Sequence, residues 1–535
     1  MINAAFRAVS AQAGYRLRVC QCICAVLLVL AVAGCQSKRT ATGIIGSVKG
    51  FAGGVVADEP RAALAARDVL TAGGSAADAA VALYFTLAVT LPSTAGLGGG
   101  GVCLVHDPDS ERSEMLDFLP RAVPGGVIGM PGNVRGMAAL QAKYGRLKWD
   151  PLLARAEELA RGTSVSRALA RELATAGTGL LGDGEIRRAF ARADGGLPRE
   201  GDGLQQIDLA GTIGQIRRVG AGSLYTGTLA MRTAQSAQDV GLPLSAEVLR
   251  GTLPQFGAEL SIDVGGDVAY FPAPPADGGV TGAQLLALLS AGGSYAGAGD
   301  ADRPQLFVAA AKRAFLDRAR WVQPDGMSST PTADLLSAAH LQAMDEGQPP
   351  GGPAGVDENP WASGFVVADQ YGMTVACEVT MNRLFGSGRM VPGTGIILAA
   401  APRGPGGFPL GPMIVARRKS GDVEFAAAAS GGSTATTAAI AVFLDTAVLK
   451  QPLDAALAAK RIHHNGTPDT AFYEAGVSDA VLAGLQQHGY ATAAAGVLGR
   501  VNALWCPKGL RNDPDTCQVG NDPRGDGLAV LQSPD

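Results

Sequence analysis

The sequence predicts a layered α+β sandwich, and three patterns predict it. Helical periodicity dominates from Arg61 to Arg320, strand-length apolar runs follow a Pro/Gly-rich break at 348–355, and helices return towards the C-terminus. Sheets of this kind bury one face on each other and the other under helices. Composition agrees with a large core: of 535 residues 47% are hydrophobic and 17% charged, and 74 glycines outside any G-X-Y period point to tight turns and close packing. Lys and Arg number 44 against 48 Asp and Glu, a net charge of -4 with no basic run, which excludes nucleic acid as a partner.

In chain order, Arg7, Arg16 and Arg18 precede an apolar run from Val19 to Ala33. At about fifteen residues it is too short to span a bilayer and reads as the apolar part of a signal peptide. It ends in Val32-Ala33-Gly34-Cys35, which resembles the box of bacterial lipoproteins, where the Cys is lipidated and becomes the first mature residue. The expected organisation is therefore a signal peptide at 1–34, a lipidated Cys35 with a tether at 35–50, a helix-rich region at 51–345, a Pro/Gly linker at 346–361 and a strand-rich region at 362–535 that folds with the first. The expected location is the bacterial cell envelope, on the outer membrane or in the periplasm, with the membrane held through Cys35.

The stretch from Arg61 to Gly74 has helical spacing and a glycine stop. Ser75 caps a second helix with Asp78 in its first turn, apolar all round and so buried, and Pro92 closes it. Gly98 to Gly101 lead into the strand VCLVHD, with EMLDF as its hairpin partner; no Gly-Lys-Ser/Thr follows, so the glycines are not a phosphate loop. Helical signals fill 133–250 and return at Leu285–Leu289 and Phe307–Arg320. Beyond the linker, GFVVAD, MTVACEVTM, GIILAA, PMIVARR and VEFAAAAS read as strands, with a turn at 369–372.

Cys506 and Cys517 flank a polar loop and are expected to form a disulfide, whereas Cys103 and Cys377 sit in apolar runs and read as buried thiols. His106, His340, His463, His464 and His488 show no metal-ligand spacing, and no GxSxG elbow is present. Neither a metal nor a cofactor is expected.

The ordered motifs Gly54–Ala57, GGSAADAAVA (73–82), GLGGGG (96–101), Pro131-Gly132, KYGRLKW (143–149), DLAGT (208–212), AFLDR (314–318) and DPR (522–524) resemble the gamma-glutamyltransferase family. The resemblance implies a four-layer αββα N-terminal-nucleophile hydrolase, made as a proenzyme that cuts its own chain. In such enzymes the new N-terminal Thr attacks an amide and its own α-amine is the base, with a pKa near ~7.7–8.0 that leaves a neutral fraction at neutral pH. The two fragments of the cut chain would then be each other's partners.

Against the family's Thr-Thr-His start, fixing Asp369, Gly372, Thr380 and Asn382 without a gap puts Ala362 at the nucleophile, Ser363 on the second Thr and Gly364 on the His. Alanine has no nucleophilic atom. A one-residue deletion would make Ser363 the nucleophile instead, which is chemically competent for the same acyl transfer. Thr380 and Asn382 match residues that support the nucleophile and contact substrate, and Gly431-Gly432 match the pair whose backbone N–H groups hold the oxyanion. The family's carboxylate-gripping Arg is Leu119 here; strand alternation would put Arg121 on the same face, and Arg389 offers another anion clamp. Ala399 to Ala401 replace the acceptors for the substrate ammonium, and Phe408-Pro409 replace paired serines. The resemblance implies transfer or hydrolysis of a small γ-glutamyl or peptide-like amide through an acyl-enzyme. The altered residues leave two alternatives: a catalytically degenerate, uncut member that binds a ligand or partner, and an acylase with a different acyl substrate.

Overall fold

The computed structural model describes residues 51–110, 112–344, 360–402 and 407–532. The leader, Cys35, its tether and most of the linker expected at 346–361 lie outside the described residues.

Two antiparallel sheets stack face to face. The first runs, in spatial order, Leu528–Gln532, Gly53–Ala57, Ala362–Asp369, Thr374–Thr380, Gly100–Asp107, Arg112–Asp117 and Gln255–Gly257. The second runs Gln518–Asn521, Arg500–Trp505, Val423–Ser430, Met413–Arg417, Asp267–Phe271 and Leu260–Val264. Each sheet takes strands from both sides of the linker, so neither half has a sheet that closes alone. The strands at 260–264 and 267–271 were not foreseen; they are short and half-exposed, and their apolar alternation is weak.

Val102, Leu104, Val366, Ala376, Ile414 and Ala426 fill the space between the sheets. Outside the first sheet, Phe365, Val367 and Val375 pack under the helix Ala76–Thr90 and its neighbours. Outside the second, Phe425 and Ala427 pack under helices Gly278–Ser290 and Ser433–Phe443. The result is the four-layer αββα sandwich. Burying a side chain such as Phe365 contributes about 1.5–3 kcal/mol, so both outer helical layers are integral to the sheets they cover.

The expected Ser75 cap is present as a full capping box: Ser75 Oγ accepts from Asp78 N at 3.2 Å, and Asp78 Oδ2 accepts from Ser75 N at 3.1 Å. Asp369, at the end of the Ala362 strand, holds the turn by accepting from Tyr371 N and Met373 N, and its other oxygen accepts from Ala76 N at 2.9 Å. One carboxylate thus joins the strand that opens at Ala362 to the helix that roofs it.

Cys506 and Cys517 are disulfide-bonded. Cys103 and Cys377 are not the buried thiols expected from sequence: they face each other directly across neighbouring strands and form a second disulfide. Their apolar surroundings were legible, but their pairing depends on a strand register between residues 274 apart. No helix among the described residues is long and apolar enough to cross a membrane.

Candidate active site

The strand that opens at Ala362 carries the question of the nucleophile. Its ladder with Thr374–Thr380 runs without a bulge from Ala368 opposite Thr374 to Ala362 opposite Thr380. Strand residues alternate between faces. Ala362, Val366 and Ala368 face the second sheet, while Phe365 and Val367 face the helical layer. Ser363 therefore points into the helices. It is fully buried there, with Oγ 2.7 Å from Thr94 Oγ1 of the short helix Pro92–Ala95. The hydroxyl expected to serve as nucleophile lies on the opposite face from the space between the sheets, and a methyl group occupies the face it would need.

Gly364 returns to the inter-sheet face. A Cβ there would stand 2.7 Å from Ala428 C and 2.8 Å from its carbonyl oxygen, so the two sheets touch through backbone at this point. No side chain the size of the family's His fits. Gly364→Ala is expected to lower stability by about 1–3 kcal/mol through overpacking, read as a lower urea midpoint at unchanged slope; an unchanged midpoint would show that the sheets separate freely.

Three carboxyls that the sequence reading passed over surround this strand start. Asp58 Oδ2 accepts from Gly364 N at 3.0 Å, and its Oδ1 accepts from Asn502 Nδ2 at 2.8 Å; Asn502 also donates to Gly364 O at 2.7 Å. Burial raises the Asp58 pKa above its ordinary value against these hydrogen bonds. Glu378 lies opposite Gly364 in the ladder, accepting from Ala429 N at 2.7 Å and Gly411 N at 2.8 Å. Full burial outweighs both donors and pushes it up to about 8. On the helical side, Glu172 accepts a short hydrogen bond from Ser93 Oγ, and burial pushes it up to about 7. A lone Glu inside the apolar run TVACEVT was the available signal for Glu378; Asp58 and Glu172 gave none, because their burial depends on distant strands and helices.

Thr380 and Asn382 form a backbone clamp. Thr380 Oγ1 donates to Trp361 O at 2.7 Å and accepts from Asn382 N at 2.9 Å. Asn382, held at φ 60°, donates through Nδ2 to Pro120 O at 3.0 Å and Ala400 O at 2.8 Å. Its side-chain amide thus joins the loop after the Asp117 strand to the alanine segment that replaces the family's polar acceptors.

Arg121 is near this clamp but engaged. The strand ends at Asp117, so alternation does not carry to Leu119 and Arg121. Leu119 is buried between the sheets, while Arg121 turns back to grip both Asp117 oxygens at 3.2 and 2.5 Å. Arg389 is elsewhere: it donates to Asp183 Oδ2 at 3.2 Å and Val240 O at 3.0 Å, fixing its loop to the helical region rather than forming a clamp at the sheet ends.

Gly431 and Gly432 follow directly after the strand Val423–Ser430, with φ 136° and 66°, and Gly432 opens the helix Ser433–Phe443. A Cβ on Gly431 would lie 2.5 Å from Thr434 Oγ1 and 2.9 Å from Gly499 Cα, so only glycine fits. Backbone N–H groups at such a strand-to-helix turn are suited to stabilising a negative oxygen. The bond from Ala429 N to Glu378 links this turn to the strand beside Ala362. Among the described residues no three His, Cys, Asp or Glu side chains form a metal-holding group.

Comparison with known proteins matches this architecture. Residues 62–401 and 409–531 fit the family model described as Gamma-glutamyltranspeptidase. The chain is 28% identical over 497 residues to the Glutathione hydrolase proenzyme of Escherichia coli, covering 82% of this chain and 85% of that protein. It is also 28% identical over 542 residues to the protein of that name from Pseudomonas aeruginosa, covering 90% and 95%. Among solved structures, cephalosporin acylase from Bacillus halodurans superposes with a TM-score of 0.76 at 23% identity over 92% of this chain and 98% of that one, which shows a shared fold.

Proposed function

Because the chain belongs to the gamma-glutamyltranspeptidase family, whose N-terminal-nucleophile fold it shares, we propose that it holds a small γ-glutamyl or peptide-like amide at the Ala362 end of its two sheets and does so as an uncut chain, without the nucleophilic step. One observation carries this reading: the inter-sheet face opposite Thr380 presents the Ala362 methyl, while the neighbouring hydroxyl of Ser363 is buried on the other face against Thr94. An alkyl group cannot form an acyl-enzyme. The elements that need no nucleophile remain: the glycine turn at 431–432 offers its amides to a carbonyl oxygen, and Asn382 keeps the adjoining loops in place. Leu119 and Phe408, both buried in the inter-sheet core, favour a less polar ligand than free γ-glutamate.

A second reading, amide hydrolysis or acyl transfer through Ser363, has one observation in its favour: the pair Ser93–Glu172 lies beside the Thr94–Ser363 pair, and burial pushes the Glu172 carboxyl up to about 7. In that case Ser363 Oγ would attack the Ala362 carbonyl, the 362–363 peptide bond would break to an ester, and water would release an N-terminal Ser363.

Intact mass and a reducing gel of the chain and of Ser363→Ala decide between them. A single mass in both is the expected result. Two fragments meeting at 362–363, absent from the variant, would overturn it and establish Ser363 as the nucleophile. We also propose that Cys35 carries the envelope anchor; the same mass measurement on chain extracted from membranes should begin at Cys35 with added acyl mass, and an unmodified or longer N-terminus would refute the anchor.

A further inference from the structure

A cavity of about 240 Å³ lies in the outer helical layer of the second sheet. That is roughly eight waters' share of liquid volume, enough for a small organic molecule. Phe307, Ala441, Ala456 and Ile462 give it an apolar wall.

Its polar groups are unequally engaged. Arg461 donates to Leu498 O, Gly499 O and Asp522 Oδ2, and Arg303 pairs with Asp300 while donating to Tyr295 O. Both guanidinium charges therefore already have carboxylate partners. Asp445 is different. It sits in a five-residue π-turn, Leu444–Val448, that continues the helix Ser433–Phe443, and its carboxylate makes no hydrogen bond among the described residues although it is half-buried. The Tyr295 hydroxyl, on the same wall, also makes none among them. At the exposed side, Lys460 Nζ has no carboxylate partner among the described residues. Asp445 thus lies in the field of Arg303 and Arg461 without a hydrogen bond to either, and Lys460 is a lining cation with no carboxylate partner among the described residues. π-turns interrupt helices at a cost and recur at functional positions.

We propose that this cavity binds a free α-amino acid with an apolar side chain, its ammonium donating to Asp445 and Tyr295, its carboxylate facing Lys460, and its side chain against Phe307 and Ile462. A zwitterion brings hydrogen-bond donors to Asp445 and a carboxylate to Lys460 at once, which neither a simple amine nor a simple acid does. The proposal is independent of the inter-sheet site, since none of the residues discussed there lines the cavity.

The test is calorimetric titration of the full chain with L-leucine, L-leucinamide and 4-methylpentanoate, repeated on Asp445→Asn and Lys460→Gln. Leucine should saturate one site, leucinamide and 4-methylpentanoate should each bind about tenfold more weakly or worse, and both variants should lose about tenfold in leucine affinity, about 1.4 kcal/mol. Lys460 is exposed, so its variant reports even if Asp445→Asn fails to fold. Leucine binding of equal strength in a folded variant would place the ligand elsewhere, and either outcome, that or the absence of saturable heat with leucine, overturns the proposal.

Discussion

The free energy of urea unfolding should fall on passing from about pH 6.5 to 8.5, with about 2 kcal/mol lost from Glu378 and about 1 kcal/mol from Glu172. Burial raises the folded-state pKa of Glu378 from 4.5 to about 8 and of Glu172 from 4.5 to about 7. For such groups the folded state holds protons that the unfolded chain has released, so their stabilisation is complete below the unfolded value and is lost as pH rises through the folded one. The buried histidines work in the other direction. Burial lowers His463 from 6.5 to about 3 and His464 to about 4, so the unfolded chain binds protons first and stability falls as pH drops below about 6.5. Between about pH 4.5 and 6.5 the two slopes oppose each other; above that range the raised carboxyls act, Glu424, which burial pushes up to about 7, together with Glu378 and Glu172. Glu378→Gln removes the titration but leaves an amide facing two N–H donors, so it should be less stable at every pH and lose about 2 kcal/mol less than the parent on the alkaline side. An equally steep alkaline loss in that variant would show that Glu378 is not the group responsible.

The sequence carried the layers further than the site. Ser75 with Asp78, the 369–372 turn and the runs at 364–369 and 423–430 are decided by neighbours in the chain, and short-range rules read them. The four-layer order and the family came from motifs spread along the chain. Face and partner did not follow. Ser363 and Ala362 are adjacent residues of one strand, and which of them meets the second sheet is fixed by a register with Thr380 and Gly100, which a gap in an alignment can shift by one and so invert. Arg121 was assigned a direction by extending a strand that stops at Asp117. Arg389 was placed by its neighbours in sequence, whereas its partners Asp183 and Val240 come from the helical region. In each case the missing information was a strand register, a contact more than a hundred residues away or the end of an element, and none of these leaves a local pattern.

Removing the Cys103–Cys377 bridge should cost about 5 kcal/mol, more than removing Cys506–Cys517 by about 3 kcal/mol, because a cross-link restricts the unfolded chain roughly with the logarithm of the loop it closes. The separations are 274 and 11 residues. Both ends of the long bridge are fully buried, on directly opposed positions of neighbouring strands, so a Cys103→Ala/Cys377→Ala chain also loses some packing, which adds to the difference. Urea curves of the two double variants check this; an equal or larger loss from the 506–517 pair would show that loop length is not the governing factor. The bridge also bears on the proposed function. Cys103 precedes Ser363 and Cys377 follows it, so a chain cut at 362–363 would still migrate as one species without reductant. If the chain is uncut, reducing and non-reducing lanes should show one band at full mass, and the long bridge then acts only on stability, by limiting the unfolded ensemble of a single polypeptide. If reductant alone releases two fragments, the same bridge is what holds a processed enzyme together across its own active-site cut.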